Sequence, residues 1–204
     1  MNLTPKELQA QVAIQDWFDA QPRGPRWLNI GCGPHYADGF CNIDVHSGDG
    51  NHPDVVVPLT NKVLVPDGSL DRVYAGHVLE HIPWDDCVEF LRNIRRALKP
   101  GGELLVVGPD LRRTLDLWKD GALDWHMVDA VWESDDAFMI TGVPAWPGAR
   151  HSWNCTEERI VKCLELAGFG TVEHRCIQNQ QVGDLVGWPI VAYSEWQLSV
   201  WARR

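Results

Sequence analysis

An apolar run, Leu28-Asn29-Ile30, that ends in two glycines one residue apart, Gly31 and Gly33, constrains this chain more than any other feature. A strand that turns on glycines leaves bare backbone at its carboxyl end, and that space is useful only to a close-fitting ligand. Thirteen residues after Gly31, Asp44 closes a second short apolar run, Phe40 to Asp44. A carboxylate there can accept hydrogen bonds from both hydroxyls of a ribose, so glycine turn and acid together read as a nucleoside cofactor site. A dinucleotide turn would carry a third glycine and a helix N-terminus facing a pyrophosphate. Here Pro34, His35 and Tyr36 follow Gly33, which disfavours a diphosphate and, with it, a nicotinamide-dependent oxidoreductase.

The chain resembles the class I S-adenosylmethionine-dependent methyltransferases at these residues. It is closest to the small single-domain, type 11-like group that carries LN(I/L)GCGP. The resemblance continues through Asn42-Ile43-Asp44, Pro66 to Asp71, His77-Val78-Leu79-Glu80-His81-Ile82 and Leu98 to Leu104, in the family's order over roughly residues 26 to 110. It implies an α/β, Rossmann-like seven-stranded sheet, mostly parallel, flanked by helices, with the last two strands antiparallel. It also implies S-adenosylmethionine as cofactor and S-adenosylhomocysteine as product. The cofactor-binding positions it points to are Asn29, Gly31, Cys32, Gly33, Pro34, Asp44, Val45, Leu59, Thr60, Gly76 and His77. Relatives often place an acidic residue after the third strand to receive the adenine amino group. This sequence has Val57-Pro58-Leu59-Thr60, so adenine recognition falls to backbone around Leu59 and Thr60.

The pattern of the residues predicts the same elements. Thr4-Pro5-Lys6-Glu7 is a capping box with proline at the first helical position and predicts a helix from Pro5 to Ala20. Short apolar runs predict parallel strands at Trp27–Ile30, Phe40–Asp44, Asp54–Val57, Leu70–Ala75 and Glu103–Val107. Helices are expected over Trp84–Leu98, stopped by Lys99-Pro100-Gly101-Gly102, then over Pro109–Lys119, and from a cap near Asn154 to Ala167. Two further strands are expected, at Thr171–Gln178 and at Ile190–Ala202, the last alternating in polarity. At 204 residues one domain spanning the chain is expected, with residues 117–154 as an acceptor-binding insertion or lid.

Acidic residues outnumber basic ones 28 to 18, a net charge of -10, which opposes a phosphate backbone. Nucleic acid is therefore not the expected partner, and Arg92, Arg95, Arg96 and Lys99 read as a solvated helix face. The six cysteines show no C-x-x-C spacing, so neither zinc fingers nor a disulfide framework is expected. Cys32 reads as a small side chain in a tight turn. No metal site is expected, because Asp120, Asp124, His126 and Asp129 fall in no ligating arrangement. The absence of a signal-like start or a long apolar run predicts a cytoplasmic protein without membrane segments; oligomeric state is left open.

Methyl transfer from a sulfonium is an in-line displacement. Positioning contributes about 7–11 kcal/mol and a general base some 3–5 kcal/mol. Candidates for the base are His77, placed first, then His81, Asp110 and His151. His81 and Asp110 are also candidate helix caps. Of the eleven tryptophans, Trp118, Trp125, Trp132, Trp146 and Trp153 cluster in one stretch, where they either offer flat surfaces to a sugar or aromatic acceptor or belong to the core. The reaction expected is O-methylation of a small polar or glycosidic acceptor. N-methylation of a nucleobase or protein, and a non-catalytic cofactor-binding partner subunit, are the alternatives.

Overall fold

Thr4 starts the first helix, α1 (Pro5–Asp19), through a reciprocal cap: its hydroxyl accepts from the Glu7 amide (3.3 Å) and the Glu7 carboxylate accepts from the Thr4 amide (2.7 Å). The box satisfies two of the amide donors a helix start leaves open. Ala10, Ile14 and Phe18, four apart, bury one face against the sheet. The computed structural model describes residues 2–21, 24–48, 50–58, 62–124, 151–153, 155–174, 188 and 197–204.

Seven strands form one sheet: β1 (Trp27–Ile30), β2 (Cys41–Asp44), β3 (Val55–Val56), β4 (Leu70–Gly76), β5 (Leu98–Pro109), β6 (Thr171–His174) and β7 (Gln197–Arg203). Their spatial order is β3-β2-β1-β4-β5-β7-β6. The first five are parallel, with Leu28 opposite Cys41 on one side of β1 and opposite Val73 on the other. β7 runs antiparallel between β5 and β6, with Leu105 opposite Trp201 and Val172 opposite Ala202. The expected Rossmann-like sheet with an antiparallel end is therefore the observed one. Helices α2 (Trp84–Ala97), α3 (Leu111–Lys119) and α4 (Glu157–Leu166) complete the described elements. Among them no helix is long and apolar enough to cross a membrane.

Three expectations shift. The α2 stop was expected at Lys99–Gly102, but the helix ends at Ala97 and Leu98, fully buried, already pairs with Leu70. Pro100 disfavours helical backbone at the residue before it, and Gly101, at φ 77°, turns the chain so that its amide donates to the Arg204 carbonyl (3.1 Å). β7 is buried on both faces: Leu198 and Val200 are enclosed as the alternation predicts, but Ser199 is enclosed too, on the face where Trp201 packs in a second apolar cluster with Leu105, Val107 and Trp188. Residues 190–196 and 175–178, expected to extend β7 and β6, lie outside the described residues. Arg92 and Arg96 of α2 and Lys99, which lies in β5, are not a free solvated stripe either. Arg96 pairs with Asp67 and donates to the Val63 and Val65 carbonyls, Lys99 pairs with Asp71, and Arg92 with Glu89.

Among the described residues, the connections from β1 to β2 (31–40) and from β2 to β3 (45–54) contain no helix, although parallel neighbours usually need one to cross over. Side chains do the work instead. Asn42, fully buried, donates to the Ala37 and Phe40 carbonyls (3.1 and 2.9 Å) and to Asp54 (3.0 Å), and its own oxygen accepts from the Ala37 amide (2.8 Å) and from Asn29 (2.9 Å). Asn29 also donates to the His35 carbonyl (3.2 Å). Asp54 accepts from the Asn42 amide (2.8 Å) and from Tyr36 (2.9 Å). Backbone groups that a helix would satisfy internally are satisfied by this network.

Replacing Asn42 leaves several buried donors and acceptors without partners at once, each worth about 1–3 kcal/mol. Asn42→Ala is expected to lower unfolding free energy by about 3 kcal/mol or more in urea titration. A loss below about 1 kcal/mol would show that the loop is held by something else.

Candidate active site

The glycine turn after β1, Asp44 at the end of β2 and the His77–Ile82 segment after β4 lie at one end of the sheet, where β5 also finishes and β7 begins. The order of strands reverses between β1 and β4, since β2 and β3 lie to one side and β4 and β5 to the other. Loops diverge at such a switch point and leave a crevice for ligands.

The two glycines of the first turn serve different ends. Both have left-handed backbone, φ 65° at Gly31 and 52° at Gly33, which costs a residue with a Cβ. A Cβ on Gly31 would lie 2.6 Å from Val78 Cγ2, so protein packing closes that position, whereas a Cβ on Gly33 would meet nothing within 4 Å. Gly33 thus borders open space. The turn folds back on β2, with the Gly31 and Cys32 amides donating to the Ile43 carbonyl (2.9 and 3.1 Å).

Asp44, mostly buried, takes the Gly33 amide on Oδ2 (2.8 Å) and the His46 amide on Oδ1 (3.1 Å). Each carboxylate oxygen accepts more than one hydrogen bond, so the acid clamps the turn and keeps acceptor capacity for a hydroxyl. Of the other cofactor positions read from the sequence, Pro34 is exposed and Val45 and Gly76 half-buried around the same crevice. Asn29, 1% exposed, shapes the turn from beneath through the network above and offers its side chain to that scaffold. Cys32 is buried, and burial first, then the charges of Asp44 and Asp54, push its thiol up to about 12. It is the small filler expected of a tight turn. Leu59 and Thr60 lie outside the described residues.

His77 follows directly on β4 and is the one non-glycine residue with positive φ (54°) among the described residues, a conformation that persists only where surroundings enforce it. Its amide donates to the Val107 carbonyl (2.8 Å), holding it to β5. Its ring is gripped at both nitrogens: Nδ1 lies 3.0 Å from Glu80 Oε1 and Nε2 lies 2.6 Å from Gln197 Nε2. Glu80, in the short 3-10 turn Leu79–His81, is fully buried. Burial opposes its ionisation, and the hydrogen bond from His77 with the charges of His77, His81 and His151 more than offsets that, holding the carboxyl below its usual range.

The four base candidates therefore separate. His77, His81 and His151 gather around Glu80, the last two with ring centroids 4.9 Å apart. Asp110 caps α3, accepting from the Arg112 and Arg113 amides (3.0 and 3.4 Å). His81 is not the cap of α2, whose first turn follows Pro83. Trp153, expected in the lid, is core: 4% exposed, with its indole N–H donating to the Leu79 and Ile82 carbonyls. Trp125, Trp132 and Trp146, and with them most of the expected lid, lie outside the described residues, as do His126 and Asp129.

Sequence reasoning passed over Glu80 and Gln197 as site residues. A signal for the first existed, an acid that directly follows the apolar pair Val78-Leu79 and lies between histidines at 77 and 81. None existed for Gln197, 120 residues from the ring it touches. A depression of about 240 Å³ bounded by Asp71, Arg72 and Lys99–Glu103 lies at the strands' amino ends, opposite the glycine turn, and contains none of these groups.

A family model described as a methyltransferase domain matches residues 6–174. No curated protein matches the chain in sequence. Among solved structures, an S-adenosylmethionine-dependent methyltransferase from Methanosarcina mazei is similar at TM-score 0.52 and 16% identity, over 100% of this chain and 99% of that one. One from Archaeoglobus fulgidus gives TM-score 0.51 and 14% identity over 97% and 94%. The 1,6-didemethyltoxoflavin-N1-methyltransferase of Burkholderia thailandensis, solved with 1,6-didemethyltoxoflavin and S-adenosylhomocysteine, gives 0.52 and 15% over 97% and 79%. With the glycine turn, the switch point and the strand order of the sheet already described, the match over residues 6–174 means that this chain belongs to the methyltransferase-domain family, as a class I S-adenosylmethionine-dependent methyltransferase.

Proposed function

We propose that the chain methylates an oxygen of a small hydroxyl acceptor, with the cofactor held by the Gly31–Gly33 turn and Asp44, and with His77 receiving the acceptor's proton. The observation that carries the oxygen reading is the two-sided grip on His77 at the switch point. A carboxylate on Nδ1 fixes the proton there and leaves the lone pair on Nε2, the nitrogen now facing Gln197. In the reaction the hydroxyl displaces the Gln197 amide from Nε2. The hydroxyl oxygen then attacks the methyl carbon, its proton passes to Nε2, and the sulfur–carbon electron pair returns to sulfur as S-adenosylhomocysteine forms.

The cofactor assignment draws support from the open space beside Gly33 and the spare acceptor capacity of Asp44. Pro58 has no side-chain acceptor for the adenine amino group, which leaves that role to Leu59 and Thr60. The acidic balance of the chain and the engagement of Arg92, Arg96 and Lys99 in ion pairs favour a small acceptor over nucleic acid.

Thermal shift with S-adenosylhomocysteine tests the cofactor half, since a ligand of the folded state raises the melting temperature. Asp44→Ala is expected to weaken binding at least tenfold, and wild-type affinity in that variant would remove Asp44 from the site. Gly31→Ala is expected to lower both stability and binding. Adding Val78→Ala should recover only the part due to the clash, leaving the cost of left-handed backbone, about 1 kcal/mol or more.

Methyl transfer to a panel of hydroxyl compounds tests the acceptor half. His77→Ala is expected to reduce kcat by about a hundredfold with cofactor affinity unchanged. Full turnover in that variant would exclude His77 as base and move nitrogen acceptors, such as the one named for the Burkholderia thailandensis protein, to the front. Cofactor binding without transfer to any acceptor would favour the partner-subunit reading.

A further inference from the structure

Glu80 is fully buried, yet among the described residues only one of its oxygens has a hydrogen-bond partner: Oε1 faces His77 Nδ1, while Oε2 has none. A carboxylate oxygen buried without a hydrogen-bond partner is uncommon, and a bound ion is one group that would satisfy it. The neighbouring donors suit a cation. One ligand atom each from Glu80, His81 and His151 lie within 4.8 Å of one another, and among the described residues no other trio of histidine, cysteine or acidic side chains converges in this way.

Glu80 and His81 come from the turn after β4 and His151 from a segment seventy residues on, and hydrogen bonds clamp the two segments together. The Ser152 amide donates to the Glu80 carbonyl (2.6 Å), the Ser152 hydroxyl to the His81 carbonyl (3.3 Å), and the Trp153 indole to the Leu79 and Ile82 carbonyls (2.9 and 3.0 Å). Trp153 is itself buried and stacked edge-on with Trp84. His151 is thus fixed over the turn by the residues that follow it, the kind of backing a ligating side chain needs to hold its geometry.

We propose that Glu80, His81 and His151 bind a divalent first-row transition-metal ion whose open coordination positions take the acceptor oxygen beside His77. Two imidazoles and one carboxylate leave such positions and select this class of ion over magnesium or calcium, which take oxygen ligands. Ligand atoms on a tetrahedral zinc lie about 3.4 Å apart at ordinary bond lengths. The present spacing is wider, so binding requires the half-buried His81 and His151 side chains to turn toward Glu80. An acceptor hydroxyl on the ion becomes more acidic, which eases transfer of its proton to His77. The place of the acceptor rests on the methyl-transfer reading above; the ion site itself does not.

Cobalt(II) titration of the metal-stripped full chain, followed by visible absorption, tests the site without any turnover. The wild type is expected to bind one equivalent with saturable d–d bands that zinc displaces and a large excess of magnesium does not. His151→Ala and His81→Ala should each weaken binding about tenfold or more, and His52→Ala, an exposed histidine elsewhere, should leave it unchanged. Glu80→Gln should abolish it but removes a buried charge, so circular dichroism accompanies each variant and the half-exposed His151→Ala decides. A wild type without saturable bands, or a folded His151→Ala that binds cobalt as tightly as the wild type, overturns the proposal. S-adenosylhomocysteine binding is measured on the same preparations. Cobalt binding without it refutes the cofactor assignment and sustains the ion site, and the reverse overturns the ion site alone.

Discussion

The site depends first on the hydrogen bonds of Asn42. Residues 31–40 carry the glycine turn and residues 45–54 carry the chain away from Asp44, yet neither connection has a helix to satisfy its backbone or to pack it against the sheet. Asn42 sits between them, in the middle of β2, and bonds to groups on both. A leucine of similar volume would pack at that depth, but it would take from the Ala37 amide and the Phe40 carbonyl the partners that Asn42 gives them. The turn geometry, and with it the 2.8 Å bond from Gly33 to Asp44, follows from that one polar residue being buried.

What was legible in the sequence divides along the range of the interactions. The Thr4–Glu7 box, the Asp110 cap, the strand ends at Ile30 and Asp44 and the left-handed glycines are set within a few residues, and each is visible as a local pattern. The α2 stop was misplaced because Lys99-Pro100-Gly101-Gly102 reads locally as a cap, whereas the burial of Leu98 and its pairing with Leu70 are decided by the sheet. The role of Asn42 was hidden for a related reason. An asparagine in a strand reads as a weak strand residue until the two loops it serves are seen to lack helices.

Glu80 shows how a buried charge can be kept. Taking a lone carboxylate out of water costs far more than any single hydrogen bond returns, and such a group normally gives up its charge. Here His77, His81 and His151 surround it and favour the ionised form. The consequence runs both ways under the proposed reading, because the same carboxylate holds Nδ1 of His77 and leaves Nε2 to take a proton. Neither group keeps its chemistry without the other, and His77 keeps its left-handed backbone because the Val107 carbonyl and Glu80 hold it on two sides.

The two halves of the proposed site are encoded at different ranges. Asn29, the glycine turn, Asn42, Asp44 and Asp54 lie within a single short stretch and bond mainly to one another, so the cofactor cradle is a nearly self-contained unit on two strands. The acceptor face is assembled from the turn at 77–81, the clamp at 151–153 and Gln197 at the start of β7, three segments that meet only in the folded sheet. A change in the clamp or at Gln197 can alter what reaches His77 while the bonds of Asp44 and Gly33 stay intact. Under the proposed reading, the sheet can thus keep one cofactor site while the acceptor site beside it changes, because no hydrogen bond described above joins Asp44 or the glycine turn to the Glu80 cluster. The packing of Val78 against Gly31 is the link between them, and it constrains shape rather than charge.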